Sequence, residues 1–236
     1  MNTDNSTNDI RPRHGLKRRE EYAQATRQAI LDAARRLFRE RGYFSTKVDE
    51  IAALARVAPA TVYAVSGGKH GLLNTLIEIW TTAPLVPTAL ERIAAMDDPA
   101  AILRVVAAGC RSMREEFGDI VCVTINTAPH DPAISESLNA ATARYRQACA
   151  AVAQRLSELG TLRDGIDLKN AVDVLWFYFG HAGFAILHDE NGWSYERAEQ
   201  WLCHEATRAL LRDRIHENHR NGLLPEETVA RPTTPI

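Results

Sequence analysis

The chain has 236 residues, 45% of them apolar and 25% charged, which is the composition of a soluble globular protein with room for one or two cores. It excludes a membrane span, since no apolar run nears about 20 residues, and its polar N-terminus lacks the apolar core of a secretory signal, so the reading is cytoplasmic. The net charge of −2 conceals an asymmetry: residues 11–70 hold 13 Lys or Arg against 6 Asp or Glu, whereas residues 71–236 hold 15 against 22, a pattern that either a polyanion-binding front end or an ordinary solvated face produces.

In chain order, residues 1–19 read as a flexible arm whose bases are Arg11, Arg13, Lys17, Arg18 and Arg19. Ile30, Ala33, Ala34, Leu37 and Phe38 fall at helical spacing and predict a first helix over 20–41, stopped by Gly42. A short helix is expected over 47–55, and a third from Pro59, a residue that suits a first helical turn, to about Val65. Ser66, Gly67 and Gly68 break the chain. A fourth helix runs to about Thr82 with Leu72, Leu73, Leu76, Ile77 and Trp80 inward, and Pro84 and Pro87 end it. Beyond lie a helix over 99–117, a short apolar piece over 120–127, and a long helix from Pro132 to about Leu159. Asp167 caps a helix over 168–188, and Ser194 caps a last one reaching about Arg214. No segment alternates as a strand does, so the fold class is all-α. The tail from Asn221 reads as frayed.

The segment from Val48 to Val65 has the spacing of two short crossed helices. Ile51 and Ala55 point inward from the first, Ala52 is small where the two meet, Val57 sits in the turn, and Val62 and Val65 point inward from the second. Ala60, Thr61, Tyr63 and Ala64 are left outward. Such a unit presents a helix whose N-terminal residues enter a major groove, with small side chains that let the backbone approach base edges.

At this point the chain resembles the tetracycline-repressor (TetR) family. The carrying residues are Ile30 to Ala34, Leu37-Phe38, Arg41-Gly42-Tyr43, Val48, Ile51-Ala52, Val57, Thr61-Val62-Tyr63, Gly68-Lys69 and Leu72-Leu73. The resemblance spans about residues 26–73 and implies an N-terminal helix-turn-helix on a helical ligand-binding and dimerisation domain. It implies double-stranded DNA with a palindromic operator as partner, a homodimer, and a small-molecule effector that releases a repressor. It puts Thr46, Lys47, Tyr63 and Lys69 at phosphates, Ala60 and Thr61 at the groove, and Arg18 and Arg19 on an arm reaching the minor groove or backbone. Three positions depart from the family pattern. Arg56 replaces a turn glycine, which costs about 1 kcal/mol if its φ is positive. Ala58 replaces a Ser or Thr cap, losing about 1 kcal/mol. Ser66 replaces a packed aromatic residue.

Rival chemistry lacks its residues. Ser66-Gly67-Gly68-Lys69 is not a phosphate loop, because Tyr63 and His70 stand where Gly and Ser or Thr are needed. There is no GxSxG, HExxH or GxGxxG. Cys110, Cys122, Cys149 and Cys203 have no zinc-type spacing, and His181 and His188 lie two helical turns apart. The reading is a non-enzyme without cofactor or metal; a same-fold protein that does not bind DNA and a cofactor-free enzyme are its alternatives.

The run Val172, Val174 to Phe179 is apolar around its whole helix and must be covered on every side. The family resemblance pairs it and the last helix (Ala198, Trp201, Leu202, Ala206, Ala209, Leu210) with their copies in a partner. It also implies a ligand pocket, for which Trp80, Cys110, Met113, Phe117, Asn126, Trp176, Tyr178 and His181 are candidates, each of which also reads as plain core. The expected map is an arm over 1–19, a DNA-binding domain over 20–67, a ligand-binding and dimerisation domain over 68–215, and a tail over 216–236.

Overall fold

The computed structural model describes residues 13–212, with side chains from Lys17 onward. The helices are α1 (Arg13–Arg41), α2 (Val48–Ala55), α3 (Pro59–Ser66), α4 (Lys69–Thr81), α5 (Leu85–Ala94), α6 (Pro99–Thr127), α7 (Pro132–Glu158), α8 (Leu168–Phe179), the single turn α9 (His181–Phe184) and α10 (Tyr195–Leu210). A 3-10 turn (Ala128–His130) follows α6 and a π-helical stretch (Ala185–Glu190) follows α9. Among the described residues no strand forms; Leu162 and Leu211 make an isolated antiparallel bridge. No described helix is long and apolar enough to cross a membrane.

The described residues divide into two compact units, one of residues 13–88 with 112–147 and the other of residues 89–111 with 148–212. In the first unit, Ile30, Ala34 and Phe38 of α1 pack with Ile51 and Ala52 of α2, Val62 of α3 and Leu72, Leu73 and Leu76 of α4. Phe117, Ile120 and Val121 of α6 and Ile134 and Ala141 of α7 belong to the same core. Their near-complete burial supplies the main stabilisation, since helices as short as α2 and α3 are marginal alone. Arg35 on α1 holds Asp119 on α6 through two hydrogen bonds of 2.8 Å and also donates to the Glu116 carbonyl.

In the second unit, Leu175 and Phe179 of α8 and Ala198, Leu202, Ala206 and Leu210 of α10 are buried, as are Ile102 and Leu103 of α6 and Leu156 of α7. Arg155 donates twice to the Met96 carbonyl at 3.1 Å and reaches Asp97 at 2.8 Å.

Four expectations change. α1 starts at Arg13, so Lys17, Arg18 and Arg19 stand on its first turns and not on an irregular arm; Arg11 lies outside the described residues. Residues 85–94 form α5 despite Pro84 and Pro87, because a proline in the first turn forfeits no helical hydrogen bond. Residues 99–127 are one helix: Gly118 does not break it, since Phe117, Ile120, Val121 and Thr124 continue the buried stripe. The helix expected over 168–188 is interrupted: α8 ends at Phe179, Gly180 is extended (φ −70°, ψ −168°), and the turn α9 and the π-helical stretch follow. The two proposed caps form as expected: Asp167 accepts from the Asn170 N–H at 2.7 Å and Ser194 from the Arg197 N–H at 3.2 Å.

Candidate nucleic-acid interface

α2 ends in a left-handed residue. Arg56 has φ 57° and ψ 43°, and its N–H bonds the Ala53 carbonyl at 3.2 Å while the Val57 N–H bonds the Ala52 carbonyl at 2.9 Å. This pair of bonds is a Schellman closure, a turn that normally carries glycine. The arginine therefore leaves the helix-turn-helix intact and carries the strain in its own backbone. α3 then begins on Ala58, whose extended backbone has no side-chain cap, with Pro59 as the first helical residue.

The exposed face of α3 consists of Pro59, Ala60, Tyr63 and Ala64, with Thr61 half-buried. Tyr63 is 56% exposed. Its ring lies over Gly68: a Cβ there would sit 3.0 Å from the ring, and the Gly68 φ of 96° also disfavours any other residue. Lys47, at the start of α2, is exposed. Its backbone N–H donates to the Glu50 carboxylate at 2.9 Å, and Arg41 reaches the same carboxylate at 2.7 Å. The backbone hydrogen bond, then the nearby cations, hold the Glu50 carboxyl below the usual carboxylate range. Arg18 and Arg19 are exposed on α1.

Two expected phosphate contacts are occupied elsewhere. Thr46 is 1% exposed, and its hydroxyl donates within the protein toward the Gly42 carbonyl at 2.8 Å and the Leu37 carbonyl at 3.3 Å. It closes the end of α1 and has no hydroxyl to offer a phosphate. The Lys69 ammonium donates to the carbonyls of Tyr43 (2.9 Å), Thr46 (3.1 Å) and Phe44 (3.3 Å) and lies 4.5 Å from the centre of the Tyr43 ring. An ammonium has three N–H donors, and all three are engaged. Burial pulls the Lys69 pKa down. Lys69 thus ties α4 to the corner between α1 and α2.

Glu50, as the third helical residue, was the sequence signal for the α2 cap, since a Glu there reaches back to the N–H of the residue before the helix. No local signal marked Gly71, where a Cβ would stand 1.6 Å from the Ser66 carbonyl oxygen, so that α3 and α4 approach there as only glycine allows. Ser66 turns its hydroxyl onto the Val62 carbonyl at 2.8 Å and fills no aromatic site.

The eight pocket candidates fall in different surroundings. In the first unit Trp80 and Phe117 are buried in the core, Met113 packs against it, and Asn126 is exposed. In the second unit Trp176 and His181 meet edge to face with centroids 5.2 Å apart, Tyr178 meets Phe177 at 5.1 Å, and Cys110 is half-buried. A small cleft in the first unit, lined by Arg35, Phe38, Leu73, Leu76, Asp119, Ile120 and Val123, includes none of the eight.

Residues 30–76 match the sequence model of bacterial regulatory proteins of the tetR family. No curated protein sequence matches the chain. Solved structures share its fold. SmeT, the repressor of the Stenotrophomonas maltophilia multidrug efflux pump SmeDEF, is 24% identical, with 90% of this chain and 99% of that one covered and a TM-score of 0.63; in its triclosan complex the TM-score is 0.66 at 23% identity, over 89% of this chain and 100% of that one. PfmR, a TetR-family regulator from Thermus thermophilus, is 23% identical over 77% of this chain and 93% of its own, with a TM-score of 0.60. FadR from Bacillus subtilis, in complex with stearoyl-CoA, is 17% identical over 77% of this chain and 98% of its own, with a TM-score of 0.63. The family match thus runs from within α1 to within α4, the segment that holds the helix-turn-helix with Arg56 in its turn, and the fold over most of the chain is shared with these solved regulators.

Proposed function

We propose that the protein acts in the cytoplasm as a homodimeric repressor that sets one copy of α3 into each half of a palindromic operator and lets go when a mostly apolar small molecule binds. The observation that carries this reading is the exposed face of α3, held by an intact helix-turn-helix inside the family-matched segment. Lys47, the Tyr63 hydroxyl, Arg18 and Arg19 are the phosphate contacts, and Ala60 and Thr61 face the bases. The segment over 20–67 serves DNA binding, and that over 68–215 serves effector binding and dimerisation.

Dimerisation is supported by large apolar side chains left exposed in the second unit: Phe177 is 73% exposed, Ile186 47%, Leu168 43% and Trp201 43%. Such residues on α8, on the π-helical stretch and on α10 are what an apolar interface between copies covers. The apolar effector is supported by the triclosan complex of SmeT and the stearoyl-CoA complex of FadR, and by the rings of Trp176, Tyr178 and His181 in the second unit. Binding releases DNA only if the effector prefers a dimer whose two α3 helices no longer match successive major grooves, about 34 Å apart.

Selection of bound duplexes from random DNA by the purified full chain tests the reading. The expected result is a palindromic site whose affinity falls steeply with salt. Phe177→Glu is expected to give monomers in sedimentation and to lose that site while keeping the helical content. Failure to enrich any sequence, or tight operator binding by a monomer, counts against the proposal. Effectors are then those small molecules that raise the melting temperature and weaken operator binding together.

A further inference from the structure

We infer that α3 reads its operator mainly through the methyl groups of thymine, and not through hydrogen bonds to guanine or adenine edges. This deepens the DNA-binding reading above and rests on it. The eight residues of α3 are Pro59, Ala60, Thr61, Val62, Tyr63, Ala64, Val65 and Ser66. The side chains that grip base edges with paired hydrogen bonds are Arg and Lys for guanine, Asn and Gln for adenine, and Asp and Glu for cytosine. α3 has none of the six.

What the helix presents instead is a strip of small apolar groups. Ala58 and Pro59 lead the helix, and both are exposed. Ala60 and Ala64 are exposed and four apart, so their methyls lie one turn from each other on one face. Pro59 has no N–H to offer. The Ser66 hydroxyl is spent on the Val62 and Gly68 carbonyls, and Val62 is fully buried. The exposed Tyr63 carries its hydroxyl at the far end of its ring, where the reading above gives it to a phosphate, and Thr61 adds a hydroxyl beside its methyl. Short side chains also bring the backbone of α3 close to the floor of the groove, where the C5 methyl of thymine is the apolar group that a base pair displays.

Cationic side chains stand around this strip and not on it: Lys47 precedes α2, and Arg56 lies in the turn three residues before α3. Arg56 is exposed and is the long donor nearest the strip in sequence, so it is the residue through which a guanine reading would act. A buried methyl is worth about fourfold in affinity, against about 5- to 150-fold for a paired hydrogen-bond contact. Discrimination is therefore spread over several thymines in each half-site.

The test uses the wild-type chain and the duplex it selects most strongly. Thymines of one half-site are replaced singly by deoxyuridine, which lacks only the methyl group. Separately, its purines are replaced by 7-deaza analogues, which lack the N7 acceptor. The expected result is a loss of about fourfold at two or more deoxyuridine positions per half-site, with 7-deaza purines costing less than about twofold. Ala60→Gly and Ala64→Gly, checked for folding by their melting curves, are expected to make binding insensitive to one deoxyuridine position each. Neutral deoxyuridine throughout, a selected half-site without thymine, or a larger loss from the 7-deaza purines overturns the inference. If no sequence is enriched at all, the regulator reading falls together with it; enrichment with neutral deoxyuridine removes the methyl reading alone.

Discussion

Arg56 shows how one residue can depart from a family pattern without undoing it. At φ 57° its Cβ crowds the backbone, a cost of about 1 kcal/mol, yet both closing hydrogen bonds of the turn are made. Arg56→Gly removes the crowding and adds freedom to the unfolded chain, so a net gain of about 0.5 kcal/mol is expected from urea unfolding; a loss of stability would show that the side chain makes a contact worth more than the strain. Lys69 teaches the opposite lesson, since a residue that follows the pattern is engaged in a different task. Lys69→Met strips three carbonyls of their donor, and the expected loss is about 1–2 kcal/mol of stability, with lower operator affinity at an unchanged slope of affinity against salt. A phosphate ligand behaves otherwise: its removal flattens that slope by about 1 and leaves the melting temperature alone.

Among the helices of the family-matched segment, α3 is the least self-sufficient. It has eight residues, no side-chain cap and one fully buried side chain, Val62, so its position is imposed by α2, α4 and the turns between them. Ala58→Ser supplies an oxygen for the N–H groups at its start and is expected to stabilise the protein by about 1 kcal/mol in denaturant unfolding. No gain would mean that water or the backbone already satisfies those groups. α6 is the reverse case. Gly118 costs it about 1 kcal/mol of helix propensity, but burial of Phe117, Ile120 and Val121 on the first unit's core outweighs that and carries the helix through.

For the molecule as a whole, the pairing of Arg35 with Asp119 joins the first helix to the C-terminal half of α6 within the first unit. Burial pushes the Asp119 carboxyl up, but the hydrogen bond and charge of Arg35 outweigh it, and the net pKa lies below the ordinary value. A carboxylate with a depressed folded pKa contributes stability above its unfolded pKa, near 4, and loses it as the pH falls through the folded value. Asp119→Asn is therefore expected to cost about 1–2 kcal/mol at pH 7, the pair being partly solvated, and to differ progressively less from wild type below about pH 4. A difference that persists unchanged into acid would assign the effect to packing.

Helical periodicity and short-range turn chemistry were enough to place the helices of the family-matched segment to within a residue or two, apart from the start of α1. They also placed both side-chain caps and marked Arg56 as the turn residue that stands where glycine is usual. The exposed strip on α3 was legible for the same reason. What Lys69 does was not legible, since its partners Tyr43, Phe44 and Thr46 meet it only when α4 packs on the corner between α1 and α2, and that same corner buries Thr46 over the nearby carbonyls of Gly42 and Leu37. Long-range packing likewise makes residues 112–147 part of the first unit's core, keeps Gly118 helical, and brings Arg35 to Asp119 across 84 positions of sequence. Local pattern specifies dihedral angles and faces; burial and hydrogen-bond satisfaction between distant segments settle which side chains remain free to meet a ligand.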